Sequence, residues 1–299
     1  MWIGSTGVLL LAMGWMSAAS ASCPPAGYDA DSLQALKARA FELPEAKTRA
    51  TLAIGLVDCL DDPDPTLRDG IAYEALTAWM RKDQLAPDSL RALRDRLLSM
   101  LGDADPDGFR RPFAALVLSE LARTDRIRPW LSDGERAQLV TAAADYLRGV
   151  RDYRGFDQHE GWRHGVAHGA DFALQLALNS ALDRPQLDAL RSAIAAQVAP
   201  AGDHAYIQGE PLRLARPILF IAARGLHDEA DWRAWFTAIA APAPLPDWDA
   251  AFTTDAGLAK RHNTVAFLTA LYTIAQEHDD AAARARLLPG LRAVLKEVP

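Results

Sequence analysis

The stretch "YRGFDQHEGWRHGVAHGADF", residues 153–172, holds four Gly, three His and three carboxylates in twenty positions. Nowhere else is the chain so dense in groups that could do chemistry. His164, His168, Asp171 and Gln175 fall within roughly 60° of arc on one helix, at about 100° per residue. His168 and Asp171 are spaced i,i+3, which suits a carboxylate that orients an imidazole. That is half of an acid–base apparatus. The chain has no Gly-x-Ser-x-Gly, Cys-x-x-Cys or P-loop to supply the other half.

A metal is the next chemistry to weigh. His164 and His168 share the i,i+4 spacing of the zincin helix, but Gly165 stands where that motif carries Glu. His164 and Asp171 lie about 10.5 Å apart along a helix axis. Zinc ligands sit about 2.0–2.2 Å from the ion, so one helix cannot readily supply all three. A site would need a distant partner such as His159 or Glu210. No cofactor is predicted, and a divalent metal is the lesser alternative.

Gly161, Gly165 and Gly169 run beside the His–Asp ridge at four-residue spacing. An interior helical Gly costs about 0.8–1 kcal/mol against Ala. Close approach of a neighbouring helix or of a ligand would offset that. Gly161 alternatively precedes the helix. Val166, Ala170, Ala173 and Ala177 lie almost opposite the ridge. A helix apolar on nearly all sides is buried, so its ridge faces a cleft or an interior polar network.

The elements that must position these groups are all helical. Segments such as "LRDGIAYEALTAWM", "ERAQLVTAAADYLRGV" and "TVAFLTALYTIAQEH" carry helical periodicity, and breakers such as "DDPDP", "DADPDG" and "APAPLPD" separate them. Neither an alternating β-branched run nor an Asn-Gly hairpin is present. Asp64 before Pro65, and Ser132 three residues before Glu135, mark helix starts. Polar clusters near residues 68, 110, 164, 210 and 263 recur every 42–54 residues, which resembles the HEAT/armadillo period of roughly 40–47 with insertions. The expected fold is all-α: a single domain of stacked antiparallel helix pairs, HEAT-like.

Several polar residues sit on apolar stripes of these helices. Arg68 heads Ile71, Ala72, Ala75, Leu76 and Trp79; Glu120 shares a face with Phe113, Leu116 and Val117; Asn263 heads Ala266, Phe267, Ala270 and Ile274. A buried charge must be paired or open to a wet cleft. Internal pairing and a shared inner surface both satisfy that, and Glu210 with Arg213 could simply satisfy each other.

Of 299 residues, 50% are hydrophobic and 24% charged, with a formal net charge of −7. That balance argues against a nucleic-acid partner, which needs a basic face. The apolar run "VLLLAMGWM" is too short to span a bilayer, and Ala19-Ser20-Ala21 fits a small-x-small cleavage site. Residues 1–21 are therefore expected to be a signal peptide and 22–299 an exported, periplasmic domain with no stable membrane span. The run lacks a basic flank, so an uncleaved N-terminal anchor is the alternative. In an oxidising compartment Cys23 and Cys59 could pair; a buried free Cys59 with a free Cys23 is equally open.

"LRDGIAYEALTAWM", "FRRPFAALVLSELA", "YLRGVRDYRGFDQHEGWRHGVAHGADFALQLA", "GEPLRLARPI" and "NTVAFLTALY" occur in that order. Together they resemble the successive signatures of a bacterial family known as domain of unknown function 2785, over roughly residues 50–275. The most specific piece is Arg154-Gly155-Phe156 followed by Gly161-Trp162-x-His164-x-x-Ala167-His168-x-Ala170-Asp171. The resemblance implies an all-helical, repeat-like fold and brings no activity, cofactor or catalytic residue with it. The exported N-terminus departs from many relatives, which look cytoplasmic.

The leading expectation is a central cleft of Arg154, Phe156, Trp162, His164, His168 and Asp171, with Glu210, Arg213 and Asn263 as outer contributors. It would bind a small polar ligand or a peptide segment. The alternative is a hydrolase using His168 as base and Asp171 as its orienter. A third reading makes the ridge a satisfied core network in a scaffold.

Overall fold

The computed structural model describes residues 23–299, so the expected signal peptide lies outside the described residues. Five helical segments open the fold: α1 (Ala30–Ala38), α2 (Ala46–Leu56), α3 (Pro65–Leu67), α4 (Glu74–Arg81) and α5 (Pro87–Gly102). Between α3 and α4 the residues Arg68–Tyr73 form a π-helical segment. Next come α6 (Arg110–Ile127), α7 (Asp133–Gly149), β1 (Phe156–Asp157), β2 (Gly161–Trp162) and α8 (Gly165–Ala177). The rest is α9 (Arg184–Val198), α10 (Glu210–Ala223), α11 (Glu229–Ile239), α12 (Asp255–Gln276) and α13 (Ala281–Val294).

Local chemistry accounts for the helix starts. Asp64 accepts from Thr66 N ahead of Pro65, which costs no hydrogen bond in a first turn. Ser132 and Glu135 form a reciprocal capping box at α7. Asp105 was not singled out in the sequence. Its carboxylate accepts the amides of Gly108, Phe109, Arg110 and Arg111, the orphan donors at the start of α6.

The all-α expectation holds. Helices α6, α8, α10 and α12 pack on one another in sequence order, and α7 packs on both α8 and α9 behind them. One contiguous hydrophobic core runs from Leu33 to Val298. Among the described residues no helix is long and apolar enough to cross a membrane.

Cys23 and Cys59 are joined in a disulfide, Cα to Cα 5.0 Å. It ties the first described residue to the 3-10 turn Val57–Asp61 that follows α2. Closing a loop of 36 residues is worth about 3–4 kcal/mol in the chain-entropy account.

One element departs from the all-helical reading. β1 and β2 form a small antiparallel hairpin pairing Phe156 with Trp162 and Asp157 with Gly161. Nothing in the sequence alternates over that span: a local turn closes the hairpin, and Arg68 and Gln208 hold it from other elements. Asp157 Oδ1 accepts the amides of His159 and Glu160, and Gly161 takes a positive φ of 76°. Gly161 is thus a turn residue ahead of the helix, and the helical glycine track shrinks to Gly165 and Gly169.

Candidate functional site

The loop and hairpin before α8 lie across the starting ends of several helices. Arg68 at the start of the π-segment donates from Nη2 to the Glu160 carbonyl at 2.6 Å. Arg163 Nε donates to the Asp107 carbonyl at 2.7 Å, just ahead of α6. Phe156 N donates to Gln208 Oε1 at 3.1 Å, just ahead of α10. The guanidinium groups of Arg68 and Arg163 lie over the Phe109 ring, 4.0 and 4.2 Å from its centroid. Cation–π contact is one way to bury such charge.

His164 is the hinge between hairpin and helix. Its backbone is left-handed, φ 54° and ψ 39°, a conformation uncommon outside Gly. Its amide donates to the Arg154 carbonyl and its own carbonyl accepts from His168 N, opening α8. The ring stacks on Trp162 with centroids 4.7 Å apart, and its Nε2 lies 3.7 Å from Glu210 Oε1. That is beyond hydrogen-bond distance, and the buried Nε2 has no other partner. Burial holds the imidazole below its ordinary pKa, assisted by the nearby Arg213 charge, while Glu210 pulls the other way.

His168, one turn on, is buried with its ring edge-on to Phe113, centroids 5.2 Å apart. Burial first, then the charges of His164 and Arg213, push it down to about 3, so it is a neutral imidazole. Its Nδ1 is unpartnered. The expected His168–Asp171 bond is not formed. Asp171 is instead clamped by Arg213, whose Nε donates to Oδ1 at 2.9 Å and whose Nη2 makes a shorter bond to Oδ2. The geometry is the fork that Arg presents to a carboxylate. Burial still raises the Asp171 pKa above its ordinary value, because desolvation outweighs Arg213.

The neighbouring charges are paired between helices as well. Glu120 on α6 takes two bonds from Arg81 on α4, at 2.9 and 2.6 Å, and Gln175 on α8 takes two from Arg126 on α6. Glu210 and Arg213 do not satisfy each other. Glu210 Oε2 accepts only from Gln208 N, at 2.9 Å, and the side chain is 4 % exposed.

A cleft of about 310 Å³ opens beside Glu210, lined also by Tyr153, Arg154, Gly155, His204, Ile207 and Gln208. Tyr153 and His204 stack as one wall, centroids 5.4 Å apart, and His204 Nε2 is buried without a partner. Exposed Ile207 lines the cleft, and exposed Phe156 and Trp162 lie on the hairpin that Gln208 bridges to it. A Cβ on Gly155 would fall 1.2 Å from Gln208 Oε1, so only Gly lets that side chain cross to the hairpin.

The expected residues divide into two groups. Phe156, Trp162, His164, His168 and Glu210 form one connected cluster, and the Asp171–Arg213 pair lies one turn further along α8 and α10. Arg154 lines the cleft but is held by Asp152 and the Asp107 carbonyl. Asn263 is wholly buried and touches only backbone: Oδ1 accepts from Tyr206 N and Nδ2 donates to the His204 carbonyl. It builds the wall rather than lining the opening. Tyr153, His204 and Gln208 escaped the sequence reading because they lie in loops, where no periodicity marks a face. Among the described residues no three His, Cys, Asp or Glu side chains are placed to hold a metal ion.

This geometry belongs to an all-α protein whose polar cluster sits where a hairpin meets α8 and α10. The chain is a member of the family described as Protein of unknown function (DUF2785), whose model matches residues 97–273, more than half of its length. The match begins later than the resemblance over residues 50–275 and ends beside it. It includes the hairpin, α8 and α10 whole. No curated protein and no solved structure matches the chain.

Proposed function

We propose that this chain is an exported helical-repeat protein that binds a small polar ligand, or a peptide segment carrying one, in the cleft beside Glu210. One observation carries the reading. His164 Nε2 and His204 Nε2 are buried ring nitrogens without a partner, and both flank Glu210. Buried polar atoms are nearly always hydrogen-bonded; His204 lines the cleft and His164 abuts Glu210 from the helix side, and these two orphans support a partner from outside the chain. The alternation of packed helices supports the HEAT-like layout, which commonly exposes an extended binding face. The Cys23–Cys59 bond supports export, because disulfides persist in oxidising compartments. The hydrolase alternative draws no such support: Asp171 is given to Arg213, and His168 is a weak base at neutral pH.

A thermal-unfolding screen of sugars, polyols, amines, amino acids and short peptides tests the proposal. At least one class should raise the melting temperature of the wild-type protein. That rise should disappear in His204→Leu and in His164→Leu. If every class leaves the wild-type protein unmoved, the cleft is not a binding site.

A further inference from the structure

The charges around the cleft do not balance. Asp69 is paired with Arg68, Glu120 with Arg81, Asp152 with Arg154, Glu160 with Arg163 and Asp171 with Arg213. Asp105 and Asp157 have no cation, but backbone amides satisfy both, four at Asp105 and two at Asp157. Among the described residues of this cluster, Glu210 is the carboxylate left over. Its Oε1 accepts no hydrogen bond, and its nearest basic group is the His164 ring at 3.7 Å. At 3.7 Å the two form no hydrogen bond, and burial lowers the pKa of the ring even though Glu210 itself pulls it up. A carboxylate this buried is costly unless something pairs it. Arg154, which lines the same cleft, and Arg213, one turn on from Glu210 in α10, are both committed to other carboxylates.

The space beside Glu210 has the walls a cation favours. The stacked Tyr153 and His204 rings form one side, and Tyr153 is only half-buried. Aromatic faces attract ammonium groups through the ring quadrupole. Gln208 contributes a side-chain carbonyl already fixed by Phe156 N. Of the two charged side chains that line the opening, Arg154 is paired with Asp152, which leaves the Glu210 carboxylate without a cation. We infer that the cleft selects a small organic monocation, its ammonium group seated against Glu210 Oε1 and the Tyr153–His204 wall. This rests on the binding reading above and narrows it to one class of ligand. The amine could be free or the terminus of a peptide, since both present the same group.

Calorimetric titration of the whole protein with choline and with ethanolamine tests the inference, each beside a neutral isostere in which a carbon or a hydroxyl replaces the ammonium. Each cation should bind about tenfold or more tightly than its isostere. Glu210→Gln should abolish that preference, and its amide oxygen can still accept from Gln208 N. Tyr153→Leu should weaken choline more than its isostere, and it decides the matter if Glu210→Gln does not fold. Equal binding of cation and isostere overturns the charge selection while leaving a polar-ligand site intact. An unchanged preference in Glu210→Gln overturns it too. If neither cation binds the wild-type protein, the inference falls; the broader binding reading falls only if the full screen also draws a blank.

Discussion

Helix α8 shows two faces to the rest of the protein, and they differ in what they leave unsatisfied. The glycine face is closed. A Cβ on Gly169 would fall 2.7 Å from Leu147 Cδ2 and 2.9 Å from Tyr146 Cε1, so α7 has come as near as a missing side chain allows. Tyr146 Oη donates to the Gly165 carbonyl at 3.1 Å, and only a small cleft of about 70 Å³ remains at that end. The histidine face has comparable burial but lacks closure. His168 Nδ1 and His164 Nε2 are buried without partners, and Glu210 waits beside them. The difference teaches where to look for function. Tight packing explains the glycines fully, whereas packing alone leaves the histidines unexplained.

The sharpest way to break this contrast is to fill the closed face. Gly169→Val should overpack against Tyr146 and Leu147 and lower stability by about 3 kcal/mol. Urea unfolding measures it, and a neutral or stabilising result would mean the face has slack. The histidine face should respond to pH instead. His168 sits at about 3 when folded, against 6.5 for an ordinary histidine, so stability is full above pH 6.5 and declines as pH falls toward 3. The slope is about 1.4 kcal/mol per pH unit. His168→Leu should therefore shrink the difference in unfolding free energy between pH 7 and pH 5 by about 2 kcal/mol. Gly169→Ala should leave that difference alone. An acid limb unchanged in His168→Leu would show that the histidine is accessible to solvent protons.

A smaller effect separates wall from opening. Asn263→Ala strips partners from Tyr206 N and the His204 carbonyl and should cost about 1–2 kcal/mol. It should also weaken any ligand by loosening the wall, visible as faster hydrogen exchange at Tyr206. Exchange as slow as in the wild-type protein would remove Asn263 from that role. Gly155→Ala is the mildest test. The methyl must displace Gln208 and free Phe156 N, an exposed bond worth within about 1 kcal/mol. Stability should barely move while affinity for the screened ligand drops. Unaltered affinity would mean that the Gln208 bridge does not shape the cleft.

Much of this was legible in one dimension. Helical periodicity, the Asp64–Pro65 start and the Ser132–Glu135 box are local, and each recurs in the structure as expected. His168 and Asp171 were visible on one face because 3.6-residue spacing places such side chains together, whereas His164, expected on the same ridge, sits in the left-handed turn before α8. The partners of that face were not visible. The choice between His168 and Arg213 for Asp171 depends on how α8 and α10 cross, and 42 residues separate Arg213 from Asp171. The hairpin at 156–162 and the wall of Tyr153 and His204 rest on contacts between loops, which obey no period.

The sequence by itself determined an all-α chain, several of its helix starts and the stretch in which its unusual polar groups are concentrated. These follow from side-chain period, caps and breakers, all of which act within a few residues. Tertiary structure alone decided that Gly165 and Gly169 are a seam against α7, that Asp171 belongs to Arg213, and that Glu210 is left without a cation. Pairing of buried charge is settled by which helices meet, and only packing brings those helices together.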